Sequence, residues 1–123
     1  MIIGCDFDGT LCEDLFPQVG RPNMKLINWL LKQKSYGHKL ILWTCREGAY
    51  LEQAIMWCLS FGLSFDAHNT NVWETIEQYD PNGTGARKVV CDLYIDDKNC
   101  IPSKIVDYEN AKEYSKDGFD SER

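Results

Sequence analysis

No apolar run in the sequence approaches the roughly 18–20 residues that a membrane-spanning helix needs, so a membrane span is excluded. Proline is sparse at 4 and glycine stands at 9, which rules out a collagen-like chain. No stretch repeats, and no low-complexity or linker segment divides the chain. The six cysteines, at 5, 12, 45, 58, 91 and 100, contain no C-x-x-C pair for zinc or redox chemistry and no spacing of a disulfide framework. They read as reduced thiols, mostly buried, in a reducing compartment. Basic charge is also short: 13 Lys and Arg face 19 Asp and Glu, a net charge of −6. Residues 1–61 are balanced at six and six, and the whole excess lies in 62–123, with seven basic and thirteen acidic side chains. Such a chain repels a phosphate backbone, so non-specific nucleic-acid binding is not expected. Met1-Ile2-Ile3-Gly4-Cys5-Asp6 has no basic segment ahead of its apolar residues and places an acid where a secretory leader stays apolar. A cytosolic protein is the expectation.

What is present is a globular composition, 44% hydrophobic and 12% aromatic over 123 residues, enough for one domain with one core. Met1–Cys5 is a short strand that stops at Asp6. Pro22 offers the first position of a helix carrying Met24, Ile27, Leu30 and Leu31 at helical spacing, with Gly37 beyond its end. Lys39–Trp43 reads as a strand buried on both faces. Leu51, Ala54, Ile55, Cys58 and Leu59 recur as one helical stripe that Gly62 closes. Leu63–Ala67 is a weaker third strand. The stretch 69–87 is irregular, with a short helix near Trp73–Tyr79 and then a turn at 80–85. Leu93-Tyr94-Ile95 forms the fourth strand, Lys104–Asp107 a fifth, and about 107–116 a charged surface helix ahead of a fraying tail. The expected domain is therefore α/β over residues 1–123, its core ending near 106. Strands alternating with helices imply right-handed crossovers and a mostly parallel sheet covered on both faces.

Polar residues follow nearly every strand: Asp6, Asp8 and Thr10; Thr44 and Arg46; His68 and Asn69; Asp96 and Asp97. In an open parallel sheet these ends meet at one edge, where ligands bind. Four carboxylates gathered there repel one another unless a hard divalent cation holds them, and with a phosphate nearby Mg²⁺ is the natural choice. A carboxylate oxygen left free is then a nucleophile beside a phosphorus, and a second carboxyl two residues on can protonate the leaving group and activate water. Alternation puts Asp6 and Asp8 on one side and Phe7 into the core. Gly9 permits the sharp turn, and a Thr10 hydrogen bond would fix it.

Asp6-Phe7-Asp8-Gly9-Thr10-Leu11 resembles the first motif, DxDGT, of the haloacid dehalogenase (HAD) superfamily. Leu40–Thr44 is similar to its second motif, an apolar strand ending in Thr or Ser, and Leu93–Asp97 to its fourth, an apolar strand ending in paired acids. The resemblance covers residues 1–100. It implies a three-layer Rossmann-like domain and a Mg²⁺-dependent phosphohydrolase working through an aspartyl-phosphate. By position, Asp6 is the nucleophile and a metal ligand, and Asp8 the general acid/base that lends its carbonyl to the metal. Thr44 holds the phosphoryl group, Asp96 is a metal ligand, and Asp97 assists directly or through water. The third-motif lysine maps best to Lys88, with Arg87 and Lys98 as alternatives. Neither Leu11–Lys39 nor Cys45–Arg87 has room for a cap domain, so the chain is similar to small capless members of bacteria and phages. An open site of that kind suits a large substrate, a covering subunit of a homo-oligomer, or a loop such as 69–87 folding over it.

Each signal has a plainer reading. Asp6 and Asp8 before Gly9 suit a turn, and Asp96-Asp97 suits a helix N-cap. Arg46 serves as a substrate contact or pairs with an acid. Cys45, His68 and Asn69 are candidate substrate contacts, though a strand-end histidine is more often structural. Trp43 and Trp57 suit the core. Trp73 and Tyr79 could stack on a base or sugar, or lie buried under their loop. The phosphorylated substrate is open between a nucleotide, a phosphosugar and a nucleic-acid end. Two other classes compete: a receiver domain, whose phospho-acceptor should end the third strand, and a non-catalytic phosphate-binding module on the same fold.

Overall fold

The structure, a computed structural model, describes residues 1–80, 82 and 88–97. Arg87, Lys98, Cys100, the fifth strand at Lys104–Asp107 and the charged helix and tail lie outside the described residues. Chain order is β1 (Ile2–Cys5), β2 (Cys12–Leu15), β3 (Gln18–Pro22), α1 (Met24–Ser35), β4 (Lys39–Leu42), α2 (Gly48–Leu59), β5 (Ala67–His68), α3 (Trp73–Tyr79) and β6 (Leu93–Ile95). Four strands make one sheet in the order β5-β4-β1-β6, every pair parallel, and β2 and β3 form a separate antiparallel ribbon. With three helices among the described residues this is a mixed α/β fold of the Rossmann-like kind, as the alternation of strands and helices requires. No helix among the described residues is long and apolar enough to cross a membrane.

Alternation along the strands builds two apolar layers. Ile3, Cys5, Leu40 and Leu42 face α1 and α2, meeting Leu26, Ile27, Leu30, Ala54 and Cys58. Ile41 faces the other way, with Ala67 and Val72 and the half-buried Ile2, Trp43 and Val89. Each fully buried Leu or Ile contributes about 1.5–3 kcal/mol, so this double-sided core holds the sheet. Trp43 and Trp57 are both half-buried at its margins, Trp57 standing edge-on to Phe7 at 5.5 Å between centroids.

Three local readings change. Helix α1 is capped by Asn23, whose side chain accepts a bond from the Leu26 amide, so Pro22 ends β3 instead of opening the helix. The third strand is Ala67–His68, not Leu63–Ala67. Leu63 is tied back to α2 through its amide on the Cys58 carbonyl, and the chain draws alongside β4 only where Asp66 exchanges bonds with Leu40. Leu59, about 80° round the helix from Leu51, leaves the α2 stripe and is exposed. Gly37 and Gly62, both with positive φ, follow the helix ends as expected. The ribbon β2–β3, clamped by Glu13 and Arg21 at 2.6 Å, was not anticipated.

Candidate active site

Strand β1 is where the sheet's strand order switches, with β4 on one side and β6 on the other. At its end the Asp6 amide donates to the Ile95 carbonyl at 3.0 Å and the Trp43 amide donates to the Cys5 carbonyl at 2.9 Å, so both neighbours are locked to it. The chain then turns about one atom. The Phe7 carbonyl accepts from the amides of Thr10 at 3.1 Å and Leu11 at 2.9 Å, and the Gly9 amide donates to Cys12. Phe7 is fully buried, while Asp6 and Asp8 both face a cavity of about 350 Å³. Gly9 is favoured by its φ of +83°, and a Cβ there would crowd Asp97 Oδ2 at 3.1 Å. The Thr10 hydroxyl, fully buried, has no hydrogen-bond partner among the described residues; the Phe7 carbonyl's bonds hold the turn, and Asn23 Nδ2 donates to the Thr10 carbonyl at 3.3 Å.

The second strand end is organised by Asn69. Its Oδ1 accepts from the Thr44 amide at 2.7 Å, its Nδ2 donates to the Arg46 carbonyl at 3.0 Å, and its own amide donates to Leu42. Asn69 sits at φ 53°, a left-handed conformation that asparagine tolerates better than most residues. Thr44 Oγ1 accepts from the Arg46 amide at 3.1 Å, which leaves its own hydrogen free to donate to a group in the cavity that Thr44 lines. Asn69 therefore shapes the loop instead of lining the cavity.

Arg46 is 2% exposed. Its Nε and one terminal nitrogen each donate to one Asp8 oxygen at 2.8 Å, and the guanidinium also reaches the carbonyls of Pro17, Gln18 and Tyr50. It lies 5.0 Å from the ring centroids of both Phe7 and Phe16. The fork-to-fork pair is the strongest ionic geometry available to an arginine. Bonding to Asp8 raises the Arg46 pKa above its ordinary value.

Asp6 has the opposite surroundings. Burial first, then the charges of Asp97, Asp8 and Asp96, push its pKa up from 3.8 to about 6, against a hydrogen bond from the Phe7 backbone. Asp97, Cys45 and Arg46 line the cavity with it; Asp96 acts on Asp6 through its charge and is not among the lining residues. Lys88 is exposed and His68 half-buried, and neither lines the cavity. The Lys88 carbonyl accepts from Asn71, and burial lowers the His68 pKa. The described cysteines are free thiols, with 5, 12 and 58 buried. Among the described residues no three His, Cys, Asp or Glu side chains form a ready metal cage.

Sequence reasoning missed Asp14 and Phe16, which also line the cavity. Both belong to the β2–β3 ribbon, whose signal is the opposite charges of Glu13 and Arg21 placed symmetrically about Pro17.

No protein-family model matches the chain, and no curated protein does. A solved structure of a conserved protein from Bacteroides thetaiotaomicron is similar to it, at 35% identity and a TM-score of 0.74, over 92% of each chain.

Proposed function

The chain belongs to one family with the conserved Bacteroides thetaiotaomicron protein, and for it we propose a Mg²⁺-dependent phosphomonoesterase of the HAD superfamily, without a cap domain. The observation that carries this reading is the meeting of Asp6, Asp8, Thr44 and Asp97 on one cavity at the carboxyl ends of β1, β4 and β6, with Asp6 pushed up to about 6 by burial first and then by like charges. Carboxylates crowded in that way, with Arg46 serving Asp8, fit a hard divalent cation. Asp6, Asp97 and Asp96 would hold it, with the Asp8 carbonyl, since Arg46 occupies both Asp8 carboxylate oxygens. The bound cation would supply charge neutralisation for the phosphate.

The chain's own residues do the rest. An Asp6 oxygen forms a bond to phosphorus as the bond to the leaving oxygen breaks, and Asp8 gives that oxygen its proton. Thr44 donates its hydroxyl to a phosphoryl oxygen. Asp8 then takes a proton from water, whose oxygen attacks phosphorus and frees the Asp6 carboxylate. Arg46 fixes the plane of the Asp8 carboxylate at rest, and that pair opens for Asp8 to reach the leaving oxygen. The places where family members carry a cap hold only the β2–β3 ribbon with α1, and α2, β5 and α3, among the described residues.

A second reading, phosphate binding without turnover, draws on that same Arg46 fork, which leaves neither Asp8 oxygen to a leaving group until the pair opens. Phosphate release from nucleotides, phosphosugars and phosphorylated DNA ends, with Mg²⁺ or EDTA, decides between them. Mg²⁺-dependent release that Asp6→Asn abolishes supports the enzyme. Wild-type activity in Asp6→Asn would sink the mechanism, and ester binding with no release would establish the second reading.

A further inference from the structure

We propose that the tip of the β2–β3 ribbon is the substrate-selecting wall of the cavity, with Phe16 as a stacking surface for the base of a nucleoside monophosphate. This rests on the phosphomonoesterase reading and names its substrate class. The sequence left Trp73 and Tyr79 open between stacking on a base or sugar and burial under their loop. Both are 68% exposed and neither lines the cavity, whereas Phe16 lines it and is 53% exposed.

Phe16 is held in place from two sides. The Arg46 guanidinium lies 5.0 Å from its centroid, and Tyr50 meets it edge-on at 5.3 Å. Arg46 is itself fixed by Asp8 and by the carbonyls of Pro17 and Gln18, so the ring is tied to the same residue that orients the acid/base. A flat ring braced by Arg46 and Tyr50 and still half exposed is a preorganised stacking surface.

Charge narrows the class further. Asp6, Asp8, Asp14 and Asp97 line the cavity against a single guanidinium. Even with a divalent cation added, the wall favours a phosphate joined to an uncharged group over one joined to further phosphates. The Asp14 carboxylate accepts the Phe16 amide at 3.3 Å and offers further acceptor capacity to a ribose hydroxyl or a base amino group, which an aryl side chain lacks. A cavity of about 350 Å³ is at the small end of the range for ligand sites and suits one nucleotide.

The test compares adenosine monophosphate with ribose phosphate, two esters that differ only in the base. Binding is read by calorimetry with Mg²⁺ in an Asp6→Asn background, where neither ester is consumed. Adenosine monophosphate should bind about tenfold more tightly, the size of one base stacked on one aromatic ring. Adding Phe16→Leu, which keeps apolar cover on Arg46 but removes the flat ring, should bring the two esters within about twofold of each other. Phe16→Trp should keep the preference. Equal affinities, no binding of either ester, or a preference that survives Phe16→Leu would overturn the proposal. Failure of the phosphatase reading shows separately, as no Mg²⁺-dependent phosphate release from either ester by the wild-type protein.

Discussion

The two sides of the β1 strand end are built on opposite electrostatic plans. Toward β4 and the ribbon, Asp8 is neutralised by a guanidinium that is buried, forked and stacked between two rings. Toward β6, burial first and then the charges of neighbouring carboxylates, Asp97 foremost, push the Asp6 carboxyl up to about 6. Two carboxylates separated by one residue thus end in different electrostatic surroundings, because a switch in strand order gives them different neighbours. The β4 side is complete in the protein alone. On the β6 side the like charges around Asp6 are what support a place for a cation.

The largest effect should come from removing the guanidinium. Arg46→Met keeps apolar length between Phe7 and Phe16 but leaves Asp8, only 17% exposed in its side chain, without its partner. Breaking such a pair costs about 3–5 kcal/mol. Denaturant unfolding should show that loss, with phosphate release falling alongside it. Arg46→Lys should recover little of either, since an ammonium cannot span both Asp8 oxygens and the ribbon carbonyls together. A loss below about 1 kcal/mol would mean the two sides are less different than their geometry says.

Next comes Asn69, which serves the completed side from a distance. Asn69→Ala leaves the Thr44 amide and the Arg46 carbonyl without their side-chain partner and places alanine at a positive φ. The expected cost is about 1–3 kcal/mol in stability. Asn69→Gly should relieve the backbone part only, so the difference between the two variants separates strain from hydrogen bonding.

Those two residues also mark what could be read from sequence. The parallel sheet, its two-faced β4 and the meeting of strand ends follow from apolar runs that stop at polar residues, a pattern that survives without side-chain detail. Asp6, Asp8 and Thr44 were legible because a motif's chemistry lies in residue type and spacing. The work of Arg46 and Asn69 was not, since it depends on which carbonyls and amides lie within reach after folding, 38 residues apart for Arg46 and Asp8. The ribbon was missed because its strands are short and its face half-exposed, so alternation carries little signal there. It cost the reading Phe16 and Asp14.

The uncompensated side can be tested by pH. The Asp6 pKa rises from 3.8 to about 6 on folding, so between those values the folded protein holds a proton that the unfolded chain releases. Stability therefore falls as pH rises through that window and stays lowered above it. Asp6→Asn, which cannot ionise, should be more stable than wild type at pH 7.5 in EDTA, by about 1–2 kcal/mol once solvent screening is allowed for, and no different near pH 3.5. Mg²⁺ should narrow the gap at pH 7.5 by stabilising the wild type more. A gap that ignores pH would remove the charge argument for the cation.

The smallest effect separates the backbone of the turn from its side chains. Thr10 follows Gly9 in the motif, and the obvious role for its hydroxyl is to pin the turn. Its Oγ1 is instead fully buried with no partner among the described residues, and the turn is held through the Phe7 carbonyl. A buried hydroxyl without a partner gains nothing over a methyl of the same shape, and its lost hydration is a cost. Thr10→Val, matched in shape, should therefore change stability by less than about 1 kcal/mol and in the stabilising direction. It should also leave the pH dependence of Asp6 unmoved, because the carboxyl is set by burial and by Asp97, Asp8 and Asp96. A destabilisation of about 2 kcal/mol or more in urea would show that the hydroxyl is bonded after all, and the difference between the two sides of β1 would then begin at Thr10 as well as at Asp8.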